Sequence, residues 1–144
     1  VIPVKAVLAG VAATFLGTML LIVVLGFAQE PEAEPGPVLT GLSWLLGTVV
    51  RAGGGYVAAR MSVRTGDRAR VAGAGAIAGA VGYAVFLALM VTLAALGGDP
   101  GLSVGDALGL PVWTAQAALG GALAMALHRG RIAAEARTSS WAYG

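Results

Sequence analysis

The sequence predicts an all-α membrane protein, a four-transmembrane-helix bundle with both termini on the cytoplasmic side. Three observations lead there. The chain contains four apolar runs of the length a bilayer requires; its charges are sorted between alternate connectors; and every run carries small residues at helical spacing. Of its 144 residues, 58% are hydrophobic and only 11% charged. Soluble domains carry about a quarter charged residues, so this composition belongs to another class. The whole chain, residues 1–144, reads as one transmembrane domain.

The first run, residues 4–28, holds one base, Lys5, and no acid. It far exceeds the apolar core of a secretory signal, which runs to about 15 residues, so it reads as a retained anchor. The second, 38–59, is interrupted only by Arg51. The third, 71–96, and the fourth, 108–127, carry no charge. About 20 apolar residues span the hydrocarbon core as a helix, and each run reaches that length. A short polar tail, 128–144, follows.

The connectors give the orientation. Lys5, then Arg60, Arg64, Arg68 and Arg70, then Arg129, Arg131 and Arg137 occupy one side of the predicted membrane. Glu30, Glu32, Glu34, Asp99 and Asp106 occupy the other, with no base among them. Basic connectors stay inside, which puts both termini in the cytoplasm, as in a bacterial inner membrane. The net charge of +2 therefore reports topology and does not point to nucleic acid. Trp44 and Trp113, near the outer ends of the second and fourth runs, are expected to be interfacial belt residues. The acidic, proline-rich segment at 30–37 reads as a solvated connector.

Helices in lipid associate through close backbone approach, so small residues four apart mark contact faces. Gly75 and Gly79, Ala117 and Gly121, Gly120 and Ala124, Ala13 and Gly17, and Gly47 with Gly55 all have a spacing that places them on common faces. Trp44 precedes Arg60 by the same interval as Trp113 precedes Arg129. This suggests a parallel two-hairpin repeat, with chance alignment of small residues as its rival.

The spans contain no acid, the chain contains no cysteine, and its one histidine is His128. These features exclude thiolate chemistry and leave no catalytic constellation, so the expectation is a protein that is not an enzyme and holds no metal. His128 is a candidate ligand for a haem or chlorin shared with another chain. The competing reading is a polar residue at the end of the fourth run, which is favoured.

Arg51 is the exception inside a span. It lies about 13 Å from the cytoplasmic end, nine residues at 1.5 Å each, close to the midplane. Its neighbours at helical spacing include Gly47, Thr48, Gly54 and Gly55, so it should face protein and not lipid. Thr14, Tyr83 and Gln116 fall at similar depth and are candidate hydrogen-bond partners. Three readings stay open: satisfaction within the chain, pairing with a partner subunit, lipid or cofactor, and an anion or solute path.

Residues 53–86, "GGGYVAARMSVRTGDRARVAGAGAIAGAVGYAVF", resemble the YrzE-like small four-span bacterial membrane proteins of unknown function. Gly54, Gly55, Tyr56, Ala59, Arg60, Gly75, Gly79 and Gly82 carry the likeness. The resemblance implies the four-span topology and no activity. The expected role is an accessory or stabilising subunit of a larger membrane complex, in contact with the bilayer and with other subunits or copies. The alternative is a small homo-oligomeric channel or transporter with Arg51 lining an anion or solute path.

Overall fold

A computed structural model describes the backbone of residues 3–28, 36–62, 68–97 and 104–141, and the side chains of 3–27, 36–62, 71–97 and 108–129. The acidic connector, the side chains of Arg64, Arg68, Arg70, Arg131 and Arg137, and those of Asp99 and Asp106 lie outside these. The protein is all-helical: α1 Val4–Ala28, α2 Pro37–Ser62, α3 Arg68–Gly97 and α4 Val104–Trp141. The Pro3 carbonyl accepts the first backbone bonds of α1, from the amides of Ala6 and Val7 at 3.0 and 3.3 Å. Among the described residues, three segments are long and apolar enough to cross a membrane: Val4–Phe27, Val71–Gly97 and Leu108–Arg129. Helix α2 is equally long, but Arg51 and the adjacent glycines lower its apolarity. The expected polar tail is helical as far as Trp141. Its run of Ala, Arg and Glu explains this, since all three are strong helix formers.

Neighbouring residues fix the topology. Gly10 lies against Gly54 and Ala58, and Gly17 against Val50, so α1 and α2 run antiparallel. Gly79 meets Trp113 and Ala117, and Gly75 meets Gly121, so α3 and α4 are antiparallel too. Gly10 meets Ala78 and Gly82 meets Thr14, so α1 and α3 are parallel; α2 and α4, antiparallel to α1 and α3 respectively, are therefore parallel to each other. Around the bundle the order is α1, α2, α4, α3, with α2 and α3 also touching across the middle. We call proximal the end where α1 begins, and distal the end where it finishes.

This order corrects the expected two-hairpin repeat. A two-fold axis exchanging the hairpins would turn the α2–α3 contact into an equal α4–α1 contact. Among the described residues α2 and α3 pack together, while α1 and α4 share no comparable interface. The shared tryptophan spacing does not rescue the symmetry, because Trp44 is 62% exposed and Trp113 only 7%. Trp113 is thus also a correction to its expected place in an interfacial belt. It sits on the inward face of α4, in line with Gln116, Ala117 and Gly120.

The interior is backbone against backbone. A Cβ added at Gly120 would stand 2.7 Å from the carbonyl carbon of Ala52 and 2.8 Å from the Tyr56 amide nitrogen. One at Gly55 would stand 2.8 Å from the Cα of Ala117, and one at Gly79 2.9 Å from the Trp113 carbonyl oxygen. A Cβ at Gly54 would stand 2.8 Å from the Gly10 carbonyl oxygen, and one at Gly75 3.1 Å from that of Gly55. Gly121 is in ordinary contact with Ala72. Such approaches are how helices associate where apolar burial gives no drive.

The exterior is apolar, with Leu8, Leu16, Val49, Ile77, Leu119 and Leu123 all exposed. Hydroxyls on the helices donate back to their own backbone: Thr48 to the Trp44 carbonyl at 2.9 Å, Thr92 to Ala88 at 2.7 Å and Thr114 to Leu110 at 2.8 Å. A surface without water requires this arrangement, because an unsatisfied hydroxyl there is costly. The protein is compatible with integration into a bilayer.

Candidate functional site

Arg51 and Thr48 are three residues apart and share one face of α2, while Trp113 and Gln116 share one face of α4 by the same rule. Because the two helices run parallel in close register, these faces meet. Arg51 Nη1 donates to Gln116 Oε1 at 3.0 Å. Gln116 Nε2 donates to Thr48 Oγ1 at 2.9 Å, and the Thr48 hydroxyl in turn donates to the Trp44 carbonyl. The relay uses both ends of the Gln116 amide and leaves that side chain only 6% exposed.

The guanidinium also lies over the Trp113 ring, with Cζ 4.3 Å from the centroid. A Cβ at Gly47 would be 3.1 Å from Nη2 and 3.3 Å from both Cζ and Nη1, so it would rest on the guanidinium plane. Gly47 therefore makes room for the arginine of its own helix, which folds back along α2 in the distal direction. Trp113 is held in turn by Tyr83, edge-on at 5.2 Å between centroids, and by Phe86 at 5.1 Å. An aromatic cluster from α3 and α4 thus fixes the face on which the cation rests. A desolvated cation over an indole gains up to about 2 kcal/mol, and a charge-assisted hydrogen bond about 1.5–3 kcal/mol.

These partners are neutral. Arg51 Nε is buried without a hydrogen-bond partner, and Nη2 makes no hydrogen bond among the described residues. The site positions the cation but does not cancel its charge.

No family model, curated protein or solved structure matches this chain.

The candidate partners of Arg51 separate into three cases. Gln116 bonds it directly. Tyr83 is one layer away, against Trp113. Thr14 lies on the opposite side of α2, 1% exposed, donating to the Gly10 carbonyl at 3.0 Å and packed against Gly54. His128 is exposed at the proximal end of the apolar segment Leu108–Arg129, within α4, and no group of three metal-ligating side chains occurs among the described residues. Trp113 is the principal contact that sequence reasoning missed. Its spacing of three from Gln116 was the available signal, since a residue sharing a face with an inward glutamine also points inward.

Proposed function

We propose that the chain is a non-catalytic integral membrane protein and an accessory or stabilising subunit of a larger assembly in a bacterial inner membrane. In this reading α2 is the fourth span and both termini are cytoplasmic, as in the YrzE-like proteins that residues 53–86 resemble. Support for the fourth span comes from packing: α2 contacts each of the three apolar helices, and its charged residue is turned toward α4. Arg51 lies about 21 Å from the distal start of α2 and about 17 Å from its proximal end, counting 14 and 11 residues. That depth suits a residue held within a bundle.

One observation favours an accessory role over a channel. Directly proximal to Arg51, the Gly55–Ala117 and Gly120–Ala52 contacts bring the backbones of α2 and α4 together and seal the interior. A solute reaching Arg51 would meet a closed floor. The arginine then acts as a clamp between helices, with its apolar surroundings available for other subunits.

Extraction in a gentle detergent followed by native mass spectrometry tests the proposal. A reproducible set of different chains with fixed stoichiometry is the expected outcome. A species built only from copies of this chain, together with anion flux in vesicles containing it, would overturn the accessory role.

A further inference from the structure

The seam between α2 and α4 is closed on the proximal side of Arg51 and open on the distal side. One turn distal of Thr48, Trp44 is 62% exposed; one turn distal of Gln116, Val112 is 41% exposed. Thr18, Gly47, Tyr83 and Trp113 are the most distal buried residues described on their respective helices. Along this seam burial therefore ends level with Arg51, and the shoulder distal of it is apolar and exposed. The guanidinium lies beside this shoulder, between Gly47 and Trp113. Nε is enclosed and Nη1 holds Gln116, while Nη2 is neither enclosed nor hydrogen-bonded among the described residues.

A cation in such surroundings calls for an anion. The four apolar runs contain no acid, so a second copy inserted beside the first cannot supply one. A water-soluble anion would have to leave water and pass an apolar surface. A molecule that is itself apolar except for one anionic head meets neither obstacle.

We propose that the distal α2–α4 seam beside Arg51 binds the anionic head of an acyl-chain amphiphile drawn from the bilayer. A carboxylate or phosphate oxygen accepts from Arg51 Nη2, while Gln116 and Trp113 hold the guanidinium in place. The acyl chain lies between Trp44 and Val112, toward the distal membrane surface. The proposal needs no partner protein, so it stands or falls separately from the accessory role.

The test uses the full chain in phosphatidylcholine vesicles, with Trp44→Phe and Trp141→Phe leaving Trp113 as the single fluorophore. Dibromostearate is the probe, because bromine quenches indole only at short range. We expect saturable quenching of Trp113 that the methyl ester of the same acid does not produce. Arg51→Gln should weaken it by about tenfold or more, the loss of one charge-assisted contact. Val112→Phe, which fills the exposed shoulder where the acyl chain is placed and leaves every polar contact in place, should weaken it several-fold. Competition by phosphatidylglycerol would assign the head to a phospholipid phosphate, and its absence to a free carboxylate. Equal quenching by acid and ester, or quenching unchanged in Arg51→Gln, would overturn the proposal. Should Arg51→Gln lose its helical circular dichroism, Val112→Phe decides, and unchanged binding in that variant overturns the proposal equally.

Discussion

In the proximal half of the bundle, Gly10, Gly54, Gly55, Gly75, Gly79 and Gly120 each face another helix so closely that a methyl group would collide with it. In the distal half, Gly26, Gly41 and Gly97 have nothing within 4 Å of where a methyl would go, and Gly109 meets only the movable Tyr83 side chain, not a backbone. The same residue thus has opposite uses at the two ends of the same helices. Proximally it is the contact itself; distally it is an ordinary surface position that carries the entropic cost of glycine in a helix. Arg51 sits at the boundary, its floor made by the tight half and its free edge turned to the loose one.

The sharpest way to break this contrast is to thicken the seal. Gly55→Ala combined with Gly120→Ala places two methyls into the α2–α4 backbone contact, where no flexible side chain can yield. Overpacking of this kind costs about 1–3 kcal/mol per site and occasionally more. We expect a combined loss of roughly 3 kcal/mol or more, read by circular dichroism during denaturant titration in mixed micelles. A loss below about 0.5 kcal/mol would mean that the two helices are not held in backbone contact.

The boundary itself is probed by a double-mutant cycle. Gln116→Leu removes the acceptor and leaves the cation buried beside an apolar group, at a cost of about 2–3 kcal/mol. Arg51→Leu removes the charge as well as the bond and should cost less. The double variant should be more stable than Gln116→Leu alone, because the uncompensated cation is then gone. Strict additivity of the two single changes would show that the 3.0 Å contact contributes nothing to the bundle.

How far the sequence foretold this division can be judged residue by residue. The four helices and the small-residue faces were legible, because span length and glycine spacing are local properties. Gln116 was found by depth alone, and the same criterion wrongly suggested Thr14. Equal depth does not mean a shared face: Arg51 looks toward α4, whereas Gly54, three residues on, looks toward Thr14 on α1. Trp113 was misplaced because a tryptophan near the end of a span usually marks the interface, and only the rotation of α4 turns it inward. The end of burial level with Arg51 was not legible. Leu20 on α1 and Leu45 on α2 have ample volume to pack inward, yet they are exposed at 65% and 56%, so side-chain size alone does not tell which positions face the bundle.

The gentlest perturbation tests the loose half on its own terms. Gly41→Ala in α2 introduces a methyl into open space, so no contact is disturbed. The change shortens the list of conformations the unfolded chain can visit and improves helix propensity. Substitutions of this type stabilise by about 0.4–1 kcal/mol where the backbone is already helical. Gly53→Ala offers the same test within the proximal half, since Gly53 has nothing within 4 Å although Gly54 and Gly55 beside it are enclosed. We expect both variants to resist denaturation slightly better than the parent, opposite in sign to Gly55→Ala. A destabilised Gly41→Ala would mean that something packs on the distal face of α2. A destabilised Gly53→Ala would put a partner against the one face of the triple glycine that the bundle leaves open.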